Sequence, residues 1–323
     1  MAGDDVRGRA GGPNGHSVAA VDATVGIERA VRALEPGGRL LAARPLTGGV
    51  SANVVGLDIA TADGAGRRVV FRQHRSADFK QHDQAVTARE YGVLAALHAA
   101  GFAVPEPYLC DAANDVTAPF LVIEWVDGST ELAATEVPGA LDQMARFLVD
   151  LHAVDPRALP LPALDPIEDP RTAAVRYLPS TVAGRRAGER LAAPAPDVLP
   201  NRHVLLHGDY WPGNVIWRDG RLVAVIDWED VRLGDPLADL ATARVELLCR
   251  YDDDAMERFT ARYLALHRDV AGPLHLDALP LWELYVSAAA LATMAGWGLA
   301  PADEAERRRR TERFFEQAAD RLG

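Results

Sequence analysis

Residues 205–230 read LLHGDYWPGNVIWRDGRLVAVIDWED, and they carry the strongest structural signal of the chain. Asp219-Gly220 lies between two apolar runs, residues 215–217 and 222–226. Such a dipeptide between apolar runs is a strong signal for two β-strands joined by a two-residue turn. The stretch is therefore predicted to form a β-hairpin whose outer ends lie side by side.

The predicted hairpin gathers three polar side chains. Asn214 lies where the first strand begins and Asp227 where the second ends, so strand pairing should bring the amide close to the carboxylate; Asp209 lies in the loop just before them. Mg²⁺ prefers oxygen ligands, with one or two carboxylates and the rest from phosphates and water. We therefore predict that Asn214 and Asp227 bind a metal ion and that Asp209 accepts a proton from an attacking hydroxyl, an arrangement suited to phosphoryl transfer.

The spacing of this motif resembles that of known kinases. Protein kinases carry His-Arg-Asp, four residues, Asn, and later Asp-Phe-Gly. Here His207-Gly208-Asp209 is followed by four residues, by Asn214, and then by Ile226-Asp227-Trp228. This variant looks like the aminoglycoside and macrolide phosphotransferase family, whose members share a kinase-like fold. The segment GDPLADL at residues 234–240 also resembles the usual continuation in that family.

The resemblance implies an α+β, two-lobed protein-kinase-like fold, with a small antiparallel-sheet N-lobe and a larger helical C-lobe. It also implies Asp209 as catalytic base, Asn214 and Asp227 as Mg²⁺ ligands, and ATP or GTP as co-substrate. The expected activity is transfer of the γ-phosphoryl group to a hydroxyl of a small molecule, such as an aminoglycoside or macrolide-type antibiotic. A metabolic kinase for a sugar, amino alcohol or amino acid is an alternative, and a non-catalytic nucleotide-binding pseudokinase is another.

Two further explanations of the motif stay open at this stage. His207 and Asp209 could form a hydrogen-bonded structural loop in an ordinary domain, which is the usual meaning of an isolated His-X-Asp. They could also belong to a hydrolytic metal site, although a zinc centre would want additional His or Cys ligands. The combined spacing of Asp209, Asn214 and Asp227 favours phosphoryl transfer over both.

A cation and a carboxylate are predicted to pair in the N-lobe. Arg72 lies on an alternating strand at residues 68–74, and Glu90 lies on the apolar stripe of the next helix. An unpaired carboxylate on such a stripe would be costly, so Arg72 is its expected partner. The resemblance implies that Arg72 contacts the nucleotide phosphates and that Glu90 supplies the ion-pair acid. A surface arginine with a glutamate at the edge of the stripe is the alternative.

The N-lobe cation departs from the kinase pattern, because protein kinases and antibiotic kinases have lysine where this chain has Arg72. Arginine can also contact phosphates and form the ion pair, with a different reach. Lys80 is the only lysine of the chain and has no neighbouring glycine, so a Walker A loop is excluded.

Two loop segments complete the predicted nucleotide site. Gly48, Gly49 and Ser51 lie between the first two strands and resemble the nucleotide-covering loop. Residues 124–128 resemble the hinge between lobes, and Glu124 and Val126 are assigned there to nucleotide binding.

The order of predicted elements gives the domain organisation. Short strands at 39–43, 51–60, 68–74 and 120–126 precede a chain that is mainly helical. We predict a disordered leader at 1–24, an N-lobe at 25–123, a hinge at 124–128 and a helical C-lobe with the substrate pocket at 129–323. Helices are predicted at 25–34 and 81–100, over the apolar helical pattern at 141–152, near 171–177 and from 281 onward. Irregular loops are predicted through most of 155–200. A cleft between lobes is the expected place for a small-molecule site.

Composition narrows the class of protein. The formal net charge of −12 argues against nucleic-acid binding, which needs a positive surface. An acidic surface would suit a cationic substrate, and it suits solubility equally well. Cys110 and Cys249 have no metal-ligand spacing, and the reducing cytoplasm is the expected compartment. The apolar stretch at 285–300 is short and rich in Ala and Gly, which predicts a buried helix and no membrane association.

Single residues outside the motif are assigned to the core. His152 ends an apolar helical pattern, and we predict that it supports the catalytic loop from the core. The tryptophans Trp228, Trp282 and Trp297 could either line the substrate pocket or fill the core, and we predict that they fill the core.

Overall fold

A computed structural model of the chain describes residues 15–46, 52–74, 80–113, 116–194 and 199–322. The chain divides into two compact units. The first comprises Met1–Tyr91 and Glu106–Trp125, and the second comprises Gly92–Pro105 and Val126–Gly323.

The structure is α+β, as predicted. The strands within the described residues are β1 (Arg39–Pro45), β2 (Ala52–Ala60), β3 (Gly66–His74), β4 (Pro107–Asp111), β5 (Phe120–Glu124), β6 (Val204–Leu206), β7 (Val215–Arg218), β8 (Arg221–Val225) and β9 (Arg232–Gly234). The α-helices there are α1 (Gly15–Leu34), α2 (Lys80–Ala99), α3 (Val137–Ala153), α4 (Pro170–Val175), α5 (Val182–Ala192), α6 (Leu237–Arg250), α7 (Asp253–Ala271), α8 (Leu279–Thr293) and α9 (Pro301–Arg321).

The first unit is built on a five-stranded sheet in the order β1-β2-β3-β5-β4, with every neighbouring pair antiparallel. Four of these strands match the sequence predictions. The fifth, β4, was not predicted because it begins with Pro107 and ends with Asp111, residues that strands normally disfavour. Proline is nevertheless tolerated at the first residue of an edge strand, where β4 has it.

Helix α1 covers one face of this sheet. Ile27 and Val31 pack in one apolar cluster with Leu57, Phe71 and other buried strand residues. Burial of these side chains from water is the main force that holds the helix on the sheet. The helix begins at Gly15, ten residues before the predicted start, so residues 15–24, assigned from the sequence to a disordered leader, are helical.

The second unit is mainly helical. Helix α3 contains the predicted 141–152 pattern, and α4 contains most of the predicted helix near 171–177. Helix α5 corrects the prediction of irregular loops across 155–200, since Thr181 caps its N-terminus by accepting a hydrogen bond from the Gly184 N–H. Its buried face consists of Ala, Gly and a single Leu, which gives little apolar periodicity to recognise in the sequence.

Two pairs of short strands lie within the helical unit. The predicted hairpin is present as β7 and β8, with Val215 opposite Val225 and Arg218 opposite Arg221. Strand β6 pairs with β9 and ends immediately before His207. The loop that carries His207 and Asp209 therefore begins at a fixed strand end. Among the described residues, no helix combines the length and the apolar character needed to cross a membrane.

Candidate active site

The turn of the hairpin adopts the backbone conformation that its sequence demands. Asp219 and Gly220 have φ angles of 51° and 69°. Positive φ at both central residues defines the turn whose twist matches that of paired strands, and Asp-Gly tolerates it best. The turn fixes the register of the residues that flank it. A register shift between Ile216 and Trp217 then sets the pairing at the open end, where Asn214 lies directly before β7 and Asp227 two residues after β8.

Asn214 is hydrogen-bonded to Asp209 at two points. Its amide Nδ2 donates to the backbone carbonyl of Asp209 at 2.9 Å and to the carboxylate Oδ2 at 2.9 Å. The assignment of the amide nitrogen follows from these two acceptors. Oδ1 of Asn214 is not engaged by these two bonds and is the oxygen that could coordinate a metal ion. Asn214 and Asp209 are therefore in direct contact.

Asp227 is held next to Asn214 by the backbone of the hairpin. The N–H of Ile226 donates to the Asn214 carbonyl at 2.9 Å, which continues the strand pairing by one residue. Asp227 then has a φ of 69°, the left-handed region that non-glycine residues seldom occupy. Such a conformation costs roughly 1–3 kcal/mol and is found most often at functional sites.

The carboxyl group of Asp209 is electrostatically unusual. Burial raises its pKa to about 7, and the negative charges of Glu246, Asp227 and Asp230 act in the same direction. The hydrogen bond from Asn214 opposes this shift. A carboxylate with a pKa near neutrality is a better proton acceptor than an ordinary aspartate and is still ionised in a large fraction of molecules at pH 7.

His207 is a fully buried, neutral member of the same loop. The Asp209 N–H donates to its Nδ1 at 3.2 Å, so its other nitrogen, Nε2, carries the proton and donates to the Ile226 carbonyl at 3.0 Å. Burial lowers the pKa of His207, although the charges of Asp239 and other acids oppose this. His207 thus ties the Asp209 loop to the end of the hairpin and takes no proton itself.

A buried carboxylate fixes the loop from the other side. Asp239, in the first turn of α6, accepts the His207 N–H at 2.8 Å and the Gly208 N–H at 2.9 Å. It also lies 3.1 Å from Nε2 of His152, whose Nδ1 lies 2.7 Å from the Tyr263 hydroxyl. Burial would raise the pKa of Asp239, but the hydrogen bonds from His152 and the backbone hold it below its usual value. His152 supports the loop from the core, as predicted.

Gly208 allows the close approach that these contacts require. Its φ is +89°, and a Cβ atom at this position would lie 2.2 Å from the backbone oxygen of Asp230. A side chain would displace either the loop or the segment after the hairpin. The middle residue of His-Gly-Asp is therefore restricted to glycine by geometry.

The predicted ion pair of the first unit is present. Nε of Arg72, on β3, lies 3.3 Å from Oε2 of Glu90, on α2. Both side chains are buried, and so are Val86, Val93, Leu94 and Leu97 of the predicted stripe. A buried arginine is expected to be held by a carboxylate in this way, so the alternative of a surface arginine is wrong.

The other predicted nucleotide-site residues are less well defined. Gly48, Gly49 and Ser51 lie outside the described residues. Glu124 ends β5, where its side chain accepts the Glu106 N–H at 3.2 Å. Val126 is half-buried and begins the second unit. Their contacts with a nucleotide stay predictions.

The Phosphotransferase enzyme family matches this sequence over residues 42–282. The chain belongs to this family. The match includes the hairpin with Asn214 and Asp227, the Asp209 loop and the first turn of α6. The resemblance drawn from the motif is therefore confirmed.

Three curated proteins are similar to this chain in sequence. Viomycin phosphotransferase of Streptomyces vinaceus is 32% identical over 206 residues, 57% of this chain and 71% of that protein. Acyl-CoA dehydrogenase family member 10 of Mus musculus is 30% identical over 194 residues, 55% of this chain. Acyl-CoA dehydrogenase family member 11 of Gallus gallus is 34% identical over 173 residues, 48% of this chain. The chain spans 18% and 22% of the length of these last two relatives.

Solved structures confirm the kinase-like fold. Choline kinase LicA from Streptococcus pneumoniae has a TM-score of 0.60 at 17% identity, covering 91% of this chain and 99% of that one. A thermostable mutant of aminoglycoside phosphotransferase APH(4)-Ia, in ternary complex with AMP-PNP and hygromycin B, has a TM-score of 0.57 at 18% identity, covering 87% and 95%. Macrolide 2'-phosphotransferase MphH from Brachybacterium faecium has a TM-score of 0.54 at 21% identity, covering 94% and 98%.

Several residues around the site gave no signal in the sequence. Tyr263 lies on the buried side of α7 and reads as an ordinary core aromatic. Asp230 and Glu246, which raise the pKa of Asp209, are separated from it by 21 and 37 positions. Asp239 could have been suspected, because an acidic residue facing the core of an amphipathic helix needs a partner.

Proposed function

We propose that the protein is a small-molecule kinase that transfers the γ-phosphoryl group of ATP to a hydroxyl group. The observation that carries this proposal is the double hydrogen bond from the Asn214 amide to Asp209 at the end of a hairpin that also positions Asp227. A base and two oxygen ligands in one rigid constellation are what phosphoryl transfer requires, since the reaction depends mainly on positioning and charge stabilisation.

Asp209 is assigned the role of base. Its carboxylate accepts the proton of the acceptor hydroxyl while the hydroxyl oxygen forms a bond to the γ-phosphorus. The bond between the γ-phosphorus and the bridging oxygen breaks, and ADP leaves with that oxygen. The hydrogen bond from Nδ2 of Asn214 to Oδ2 of Asp209 fixes the orientation of the Asp209 carboxylate. Oδ1 of Asp209 is then the oxygen available to the acceptor hydroxyl.

The donor set of the site fits Mg²⁺. Oδ1 of Asn214 and the carboxylate of Asp227 are hard oxygen ligands, and phosphate and water oxygens would complete the shell. When bound, the ion would neutralise negative charge on the phosphates. The described residues contain no group of three or more His, Cys, Asp or Glu side chains that could hold a metal, as a zinc centre would require.

Nucleotide binding is assigned to Arg72 and to the other residues predicted for it. Glu90 holds the buried guanidinium of Arg72 in one orientation, from which it would contact phosphate oxygens. Gly48, Gly49, Ser51, Glu124 and Val126 retain their predicted nucleotide-binding roles. The AMP-PNP complex of APH(4)-Ia supports ATP as co-substrate.

Two chemical classes of acceptor are compatible with the proposal. The similar proteins include kinases named for an antibiotic and for choline, so both an antibiotic kinase and a metabolic kinase are compatible with the fold. A pseudokinase is disfavoured, because the chain has all three of Asp209, Asn214 and Asp227, and Asn214 is hydrogen-bonded to Asp209 and paired through its backbone with the residue before Asp227. The cytoplasm stays the expected compartment, because the two cysteines are free and a reducing compartment keeps thiols in this form.

The proposal is tested by measuring ADP release across aminoglycosides, macrolides, sugars and amino alcohols. The wild-type protein should release ADP with at least one acceptor, and Asp209→Ala should abolish this turnover while the affinity for AMP-PNP stays within about twofold. Undiminished turnover of Asp209→Ala would remove the proposed base.

A further inference from the structure

A cavity of about 400 Å³ opens beside Asp209 within the helical unit. Gly208 and Asp209 form part of its wall, and residues of α8 form another part. Asn214 and Asp227 are not among the residues that line it. The cavity therefore lies where an acceptor could reach the base without contacting the proposed metal ligands.

Much of the lining is apolar. The side chains that give this character come from α6, α8 and the turn after α8, and they are Val245, Trp282, Val286, Ala289, Ala290 and Trp297. Trp282 is almost completely buried, and Trp297 is half-buried, so the prediction that both simply fill the core is wrong for Trp297. These aromatic and small aliphatic residues form an apolar part of the wall, against which an apolar body of matching shape can pack.

Two of the four acidic side chains of the lining are already engaged. Asp239 accepts two backbone N–H groups and a hydrogen bond from His152. Glu246 forms a salt bridge with Arg307, whose guanidinium lies 5.1 Å from the centre of the Trp297 ring. Neither carboxylate is therefore free to receive a cationic group of a substrate.

The remaining charged groups of the lining are two carboxyl groups and one guanidinium group. Asp209 is the proposed base and accepts a hydrogen bond from the Asn214 amide. Asp230 and Arg232 also border the cavity, one with a negative and the other with a positive charge. A substrate with several ammonium groups would have to give up their hydration here without gaining enough carboxylate partners.

We infer that the phosphate acceptor of this protein is a neutral hydroxyl compound with an apolar body, and not a polycation. This inference rests on the proposed function, because it takes Asp209 as the base. The hydroxyl end would lie at Asp209 and Asp230, and the apolar body would lie against α8 and Trp297.

The inference is tested with matched probes that differ in one charge. Binding of 1-hexanol, 1-heptanol and 1-octanol is measured by calorimetry in the presence of AMP-PNP and Mg²⁺, beside 6-amino-1-hexanol, 8-amino-1-octanol and kanamycin. Each methylene should tighten binding about fourfold, from the transfer free energy of a buried CH₂. Each amino alcohol should bind at least about tenfold more weakly than its neutral counterpart. Equal or tighter binding of the amino alcohols or of kanamycin would overturn the inference.

Three variants locate the binding site. Ala289→Trp fills the cavity and should abolish alcohol binding, whereas Ala292→Trp, on the same helix but outside this lining, should not. Arg307→Gln releases Glu246 and should improve the binding of 8-amino-1-octanol relative to 1-octanol by about tenfold. Alcohol binding that survives Ala289→Trp places the acceptor elsewhere and contradicts the inference.

Measurements on the wild-type protein distinguish failure of the proposed kinase function from failure of the inference about the acceptor. Mg²⁺-dependent binding of AMP-PNP, together with turnover of kanamycin in preference to the alcohols, would leave the kinase function standing and overturn the acceptor class. Failure to bind AMP-PNP, with alcohols still bound in the cavity, would overturn the kinase function and with it the role of the alcohol as phosphate acceptor, while the preference of the cavity for neutral alcohols would stand.

Discussion

Asp239 and His152 form a fully buried pair, with the carboxylate Oδ2 3.1 Å from the imidazole Nε2. The other contacts of the carboxylate are the backbone N–H groups of His207 and Gly208. The loop that carries Asp209 is therefore held by a carboxylate that is itself oriented by a histidine. Because the Tyr263 hydroxyl contacts the same imidazole, the position of the proposed base depends on a chain of buried polar groups.

The first prediction concerns this chain of contacts. Tyr263→Phe should lower the free energy of unfolding by about 1 kcal/mol, the usual contribution of one hydrogen bond. His152→Ala should lower it by about 3 kcal/mol or more, because it leaves the Asp239 carboxylate buried and short of a donor. Urea unfolding gives both values. We expect kcat to fall in the same order while the Kd for AMP-PNP stays constant.

Tyr91→Phe is a suitable control, since this half-buried tyrosine shows no hydroxyl hydrogen bond within the described part of the chain. If His152→Ala left both stability and kcat unchanged, the positioning role of Asp239 would be contradicted.

The second prediction concerns the titration of Asp209. Carbon-13 NMR of the nucleotide-free protein should show one aspartate carboxyl titrating near pH 7, and Asp209→Asn should remove that signal. The deprotonated form accepts the proton, so activity should rise with pH through this range. Asp230→Asn should move the titration to lower pH, because a negative charge that raises the pKa of Asp209 is gone.

Asp277→Asn, an exposed substitution on the segment before α8, should leave the titration in place. An Asp209 signal that titrates near pH 4 in the wild-type protein would show that burial does not affect this carboxyl as described.

The third prediction concerns Arg72. Replacing it alone would leave Glu90 buried without its cation, which is strongly destabilising. The double variant Arg72→Met with Glu90→Gln removes both charges and should stay folded. It should bind AMP-PNP about 10- to 100-fold more weakly, the loss expected when charge-assisted hydrogen bonds to phosphate are removed. Arg72→Lys should have an intermediate affinity, since it keeps the charge and loses the planar fork.

Unchanged AMP-PNP affinity in the folded double variant would restrict the Arg72–Glu90 pair to a structural role.

The fourth prediction concerns the C-terminal helix. Nη1 of Arg190 donates to the carbonyls of Ala319, Asp320 and Leu322, at 2.6, 3.0 and 2.8 Å. These carbonyls lie at the end of α9, where they have no partner within the helix. Arg190→Ala should therefore lower the free energy of unfolding by about 1–3 kcal/mol, measured with urea. Arg185→Ala, at an exposed position of the same helix α5, should change it by less than about 0.5 kcal/mol.

The local signals in the sequence were sufficient for the hairpin and its polar residues. Asp219-Gly220 determines the turn and so brings the strands that lead to Asn214 and Asp227 together, whereas the one-residue register shift between Ile216 and Trp217 had no signal in the sequence. The Arg72–Glu90 pair was predictable for a similar reason, because a carboxylate on an apolar stripe must find a cation.

The support of the loop could not be predicted in the same way. The contact between His152 and Asp239 joins residues 87 positions apart, and that between His152 and Tyr263 joins residues 111 positions apart. No periodicity or spacing identifies partners at such separations; helix packing in three dimensions decides them. The small-residue face of α5 and the proline-initiated strand β4 were missed because their local composition resembles that of loops.

We propose that Asn214 and Asp227 together hold the divalent ion of a bound nucleotide. Calorimetric titration of AMP-PNP with and without Mg²⁺ tests it most directly, comparing wild type with Asp227→Asn, a change that removes the charge and keeps a residue type tolerant of positive φ. We predict that Mg²⁺ strengthens binding to the wild-type protein at least about tenfold and that this gain disappears in Asp227→Asn. An equal gain in both proteins, or no nucleotide binding by the wild type under either condition, would contradict the account.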